Sequence, residues 1–421
     1  MEAPVRIENR AQLIYLLTEA AELEHGIMCC YLFSAFSMKR SVSEGVTEEQ
    51  LAAMNRWRRM LLQIATEEMT HMALACNLLT AVGGKPHTRR PNLPSSPRAY
   101  PPTFALSFAP FDRESLGSFI FLERPEEEQA ADAERTRPGE SPQSLAFFTD
   151  IFSSERQYST VGHLYRGVED GFKYLTQKYG EEGLFVGPHE AQIASSYFGL
   201  PGLNPVTDLA SAVAAIEGIV EQGEGARGDN EDSHYGRFKA MGEQYDQMLI
   251  DDPEFVPGRP VVTNPYSIMP QDVGDLSSVN LLEDRLSVHI SNLFDGCYEL
   301  VMQILSRLMM HTEESDAQLA LLGQVSIDLM TDVIGPLGEA LTLMPAGQAN
   351  PGKNAGPSFR FTRDGTAAPH QVSAWSLFVE RMNEMSAYCG ILEIQGSSIP
   401  ALSGVKASLA RYAKQLADAS T

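Results

Sequence analysis

The sequence predicts an all-α protein: a helical bundle over residues 1–250, with a long crossover at about 84–144, and a second helical unit over 251–421. Three observations predict it. Apolar residues recur at steps of three and four through successive long segments, the signature of a buried helix face. The first two such segments are joined by a short connection, whereas the next pair follows only after a long Pro-rich stretch, a known four-helix bundle topology. No repeat long enough to suggest a solenoid interrupts the pattern.

The first helix carries Leu13, Leu17, Ala20, Glu24, Ile27 and Tyr31 on one stripe, with Glu22 turned to the far side. The second is expected from about Thr47 to Val82 and stops at Gly83-Gly84. Its stripe is Leu61, Ala65, Glu68, Met72, Ala75 and Leu79. Seven prolines lie between Lys85 and Pro110, and "ERPEEEQAADAERTRPGE" (123–140) reads as an exposed acidic segment. A third helix is expected from about Leu145 to Tyr179. A fourth starts near Asp208, breaks at "GEGARGDN" and resumes from about Asp232 to Met248. The Pro-, Gly- and Asp-rich run 251–273 is the expected domain boundary. Helices near 279–311, 316–343, 371–391 and 402–418 complete the chain.

Composition narrows the partners. The chain has 421 residues, 43% hydrophobic and 21% charged, an ordinary balance for a soluble globular protein. A net charge of −23 argues against nucleic acid and anionic membranes, both polyanions. Five cysteines without a CxxC pair or framework spacing read as reduced thiols. With no apolar leader at the start and no stretch read as a membrane span, a cytoplasmic protein is expected.

Glu24, Glu68 and His71 carry the first chemical signal. They lie on or beside the inward stripes of two adjacent helices, and no Arg or Lys occupies either stripe. A single inward Glu is as often a salt bridge as a functional group. Three converging groups demand cations, which metal ions supply most compactly. Glu-x-x-His alone is a weak motif, and it gains weight from ligands elsewhere. The run "AAIEGIVEQGEGARGDNEDSHYGRF" carries Glu217, Glu221, Glu224, Glu231 and His234. Glu231 and His234 repeat the three-residue spacing. A glycine-broken helix would instead deliver Glu221 from one half and His234 from the other, and Glu221 is weighted above Glu231. Gly223, Gly225 and Gly228 form a G-x-G-x-x-G, but a helix and not a strand precedes them, so a nucleotide fingerprint is rejected. On the third helix, periodicity favours Glu169, while His163 lies slightly off the stripe. A lone helical His is more often structural. His25 points about 100° from Glu24 and is a candidate for a supporting role. His87, His189, His289, His311 and His370 read as structural.

The segments "AAELEHGIMCCYLFSAF", "IATEEMTHMALACNLLTAVGG", "STVGHLYRGVEDGF", "IVEQGEG" and "DSHYGRF" resemble the ferritin-like proteins of the iminophenylpyruvate dimer synthase type, from violacein and indolocarbazole biosynthesis. The resemblance extends through "CYELVMQILSRLMMHTEE" and "AGPSFRF". It implies a ferritin-like four-helix bundle and metal ligands at Glu24, Glu68, His71, Glu221 and His234. The third helix of these relatives reads like T-I-G-E-F-Y, which makes His163 the implied remaining ligand and replaces a carboxylate by a neutral imidazole. The implied cofactor is iron, one or two ions, with Mn or Zn as alternatives. The leading functional expectation is an iron-dependent oxidase or oxygenase of a small molecule in secondary metabolism. The alternative is a non-catalytic or mononuclear metal-binding protein of the same fold, and iron storage ranks third. The haem-dependent dimerisation associated with the larger synthases is not carried over, because no haem attachment motif is present. The expected partner is a small-molecule substrate, with a homo-oligomer left open.

Overall fold

A computed structural model describes residues 5–96, 100, 105–125, 158–225, 231–362, 370–394 and 399–420. Helix α1 runs Arg10–Ser37, capped by Asn9, whose side chain accepts from Gln12 N. Helix α2 runs Glu48–Ala81 behind a Thr47/Gln50 capping box. The two pack along each other as the largest helix–helix contact of the fold. The predicted stripes face inward: Leu13, Leu17, Ala20 and Ile27 on α1, and Leu61, Met72, Ala75 and Leu79 on α2, are all buried.

The crossover is not irregular throughout. A ten-residue helix, α3, spans Arg113–Leu122, started by an Asp112/Ser115 capping box and anchored by buried Leu116, Phe119 and Leu122. The prolines ahead of it hid a helix whose N-cap is nevertheless written in the sequence. Helix α4 covers Val161–Tyr179, capped by Thr160. The expected segment 145–157 lies outside the described residues, as does 126–140 of the acidic stretch. Helix α5 (Leu209–Gly223) and helix α6 (His234–Asp251) are the two halves of the broken fourth helix. Each half has its own partner, α5 packing against α4 and α6 against α3.

Beyond residue 251 come α7 (Arg285–Met309), α8 (Asp316–Leu329), a π-helical turn at Met330–Ile334, α9 (Gly335–Leu341), α10 (Gln371–Ile394) and α11 (Ala401–Ala419). Two-residue strands at Pro265–Tyr266 and Asn280–Leu281 pair in parallel. One apolar cluster runs from α1 and α2 into α7, α9 and α11 without a break at 251–273. By length and composition alone, the helical run 316–341 is long and apolar enough to cross a membrane, a test that the core helix of a soluble protein also passes. Here α8 packs against α7 and α11. All five cysteines are free and buried.

Candidate metal centre

Glu24 comes from the middle of α1, while Glu68 and His71 come from successive turns of α2, where three-residue spacing puts both on one face. His234 is the first residue of α6, and Glu123 caps the end of α3. Ligand atoms of Glu24, Glu68 and His71 all lie within 4.8 Å of one another, and those of Glu68, Glu123 and His234 do likewise. Glu68 belongs to both groups. Its Oε2 lies 2.8 Å from Nδ1 of His71 and its Oε1 2.8 Å from Nδ1 of His234. Glu68 is 2% exposed and His234 0%, so water does not neutralise the cluster.

The outward nitrogens of both imidazoles are tied down. Nε2 of His71 donates to Gln222 Oε1 at 2.9 Å, and Nε2 of His234 donates to Glu67 Oε2 at 3.1 Å. Glu67 is also held by Arg237. Nε2 of His234 is thus committed to Glu67, and Nδ1 of the same ring faces Glu68. That Nδ1 makes no hydrogen bond among the described residues despite its 2.8 Å contact, and Oε1 of Glu24 is likewise buried without one. Tyr31 donates its hydroxyl to Glu123 Oε1.

Without a metal, the inward positions must hold protons. Burial pushes Glu24 up to about 7, with the Glu68 charge adding to it. Burial and Glu68 also raise Glu123. Burial by itself would lower His71, but the carboxylates Glu68 and Glu24 lift it to about 10, and the same balance raises His234. Burial by itself would raise Glu68, but the two imidazolium charges, His234 and His71, outweigh it and hold Glu68 well below the usual carboxylate range. Two imidazole nitrogens and three carboxylates in a dry pocket form a donor set suited to Fe, Mn or Zn.

Of the sequence-predicted residues, Glu24, Glu68, His71 and His234 meet at one place. Glu221 does not: it is exposed on α5, because the last turn of that helix directs Glu224 inward instead. Glu224 is buried, lines the cavity with Glu24 and Glu68, and pairs through Oε2 with Arg166 at 2.9 Å. Its carboxylate lies where a Cβ on Gly162 would sit. His163 is buried on α4 but belongs to neither ligand group, since the helix turns Gly162 and Tyr165 toward the cavity instead. Glu169 pairs with Lys173 at the surface, and Glu231 is exposed. His25 faces away and hydrogen-bonds Tyr298 of α7, so it does not support the cluster. Glu123 was missed because it opens the run read as an exposed acidic segment. The one signal for it was the capped apolar helix before it.

The Ferritin-like family profile matches residues 17–243, more than half of the chain. The chain is 28% identical over 372 residues to a 2-imino-3-(indol-3-yl)propanoate dimerase from Chromobacterium violaceum, covering 84% of this chain and 34% of that protein. It is 28% identical over 387 residues to a dichlorochromopyrrolate synthase from Lentzea aerocolonigenes, covering 84% and 36%. The chain therefore spans about a third of the length of these two biosynthetic enzymes. A crystal structure of a ferritin-like protein from Caulobacter vibrioides covers 78% of this chain and 96% of its own, at 17% identity and a TM-score of 0.45.

Proposed function

Since the chain belongs to the Ferritin-like family, we propose that its buried cluster holds two metal ions, iron foremost, and serves the oxidation of a small molecule. The observation that carries this reading is the position of Glu68, whose two oxygens each face the inward nitrogen of a different histidine. One carboxylate between two half-sites is the arrangement two cations need. When bound, such ions supply the reaction with dioxygen or peroxide that no side chain here provides.

The chain's own residues do the rest. Gln222 and Glu67 hold the imidazoles so that Nδ1 points inward. Tyr31 fixes the orientation of Glu123, and Arg166 holds one oxygen of Glu224. Leu122, Ile219 and Val220 supply apolar walls to the cavity. The names of the two relatives support small-molecule chemistry in biosynthesis as the setting.

One observation favours the second reading, a metal site without catalysis. The cavity at the cluster has a volume of about 20 Å³, room for a water-sized molecule and not for an organic substrate.

Elemental analysis after aerobic expression with iron and manganese tests the reading. About two metals per chain are expected, as in di-metal carboxylate bundles; Glu68→Ala should lose both, and Glu123→Ala one. Wild-type protein without metal overturns the proposal. Metal-loaded protein that consumes no O2 with reductant would leave the non-catalytic reading.

A further inference from the structure

The last turn of α3 stands between the metal cluster and a much larger space. Ser115, Phe119 and Leu122 lie four and three residues apart on this helix, so they share one face. Together with Ser118 they line a cleft of about 600 Å³, whose opposite wall includes Thr263, Asn280 and Lys353. The cavity at the cluster, by contrast, has a volume of about 20 Å³. A single residue, Leu122, lines both spaces. The apolar cavity of about 370 Å³ between α1, α2 and α7 shares no residue with the cluster's cavity.

Two elements pass from the cleft to the cluster within one residue. On α3 the cleft residue Leu122 is followed by Glu123, a member of the cluster. On α1 the cleft residue Cys30 is followed by Tyr31, which donates its hydroxyl to Glu123. The two sides differ in chemistry. Ser118 and Thr263 in the cleft are exposed to water, whereas Leu122 is 9% exposed and faces buried carboxylates beyond it. An apolar side chain at this point makes no hydrogen bond to either space, so its volume decides what fits past it.

We propose that Leu122 is a size filter between the cleft and the metal ions. A molecule the size of azide passes it, and an organic ligand is held back in the cleft. The proposal rests on the cluster holding metal. It also reconciles a water-sized cavity with an organic substrate: the substrate lies in the cleft, one side chain from the ions, and the small cavity takes the oxidant.

Azide and 4-nitrocatechol test it, because both give charge-transfer bands on ferric ions and they differ in size. In the iron-loaded full chain azide should change the spectrum and 4-nitrocatechol should not. Leu122→Ala should admit both, with the iron retained after desalting. Adding Ser118→Trp and Thr263→Trp, at two exposed positions of the cleft, should abolish 4-nitrocatechol binding to the Leu122→Ala protein by obstructing the approach. Should Leu122→Ala fail to fold, Leu122→Phe decides: the larger side chain should slow azide binding at least about tenfold, as an overpacked contact on the path does. With iron bound, 4-nitrocatechol binding to the wild type, its binding despite both tryptophans, or equal azide rates in Leu122→Phe and wild type would overturn this proposal alone. Wild-type protein that takes up no iron would overturn the metal reading, and this proposal with it.

Discussion

At the scale of the residue, the protein shows two ways to keep a carboxylate in a dry interior. Glu68 sits between two imidazoles and invites cations. Glu314 is matched instead by a guanidinium: Arg307 donates to its two oxygens at 2.5 and 2.6 Å, and Thr312 N and Trp375 Nε1 add bonds at 3.1 and 3.2 Å. Burial alone would raise Glu314; Arg307 and the Thr312 N–H outweigh it and bring it down to about 2. A depressed folded-state value means that this pairing stabilises the fold fully above the ordinary 4.5 and is lost as pH falls toward about 2. Glu314→Gln should therefore cost about 3–5 kcal/mol at neutral pH, the usual range for breaking a buried pair. Denaturant titrations at pH 6 and pH 3 should show the wild type losing more stability on acidification than the variant. Parallel losses would mean that the pair does not govern this window.

At the scale of the element, the site depends on how closely α4 and α5 approach. Gly162 permits it: a Cβ there would lie 1.6 Å from Oε1 of Glu224. Gly162→Ala should destabilise the protein by about 1–3 kcal/mol, as overpacked buried contacts do, even though alanine is the better helix former. In a Glu224→Ala background most of that cost should vanish, because the obstructing carboxylate is gone. Thermal unfolding of the four proteins of this cycle checks it, and an additive cycle would separate Gly162 from Glu224. The same elements show what could be read beforehand. Periodicity and the Gly83-Gly84 stop placed α2 to within a residue of its ends. On α1 the stripe from Leu13 to Tyr31 marked the interior of Arg10–Ser37 and not its ends, because periodicity is a local signal. The broken fourth helix was legible too, from its glycines. What could not be read was which carboxylate the break turns inward, Glu221 or Glu224. One residue more or less in the last helical turn rotates a side chain by about 100°, and the packing of α5 on α4 sets that rotation. Glu123 was lost for a related reason. Its own neighbourhood is acidic and Pro-rich, and only the docking of α3 on α6 carries it beside His234.

At the scale of the whole molecule, α1 is enclosed on nearly every side. Its metal-facing side meets α2 and α4, while Met28 and Phe36 on other faces meet the wall of the apolar cavity and α9. Arg259 fastens this arrangement. It donates to Phe36 O at the end of α1 at 3.2 Å, to Thr342 Oγ1 past α9 at 2.9 Å, and to Glu44 before α2 at 2.7 Å. Arg259→Ala should cost about 3–5 kcal/mol, because Glu44 loses its partner and buried acceptors are stranded. A lower urea midpoint would show it, and a second transition would indicate that the helices beyond 251 have uncoupled from the bundle. An unchanged midpoint would make the contact incidental.

The sequence by itself determined the helical class, the long first pair and four of the residues that meet in the cluster, because periodicity and i, i+3 spacing are properties of a single helix. Only the tertiary structure decided that Glu68 is shared between two groups, that Glu123 and Glu224 join the cavity while Glu221 and His163 do not, and that a wider cleft meets this cavity at Leu122. Those outcomes depend on how helices distant in the chain rotate and dock against one another, a relation that no local pattern encodes.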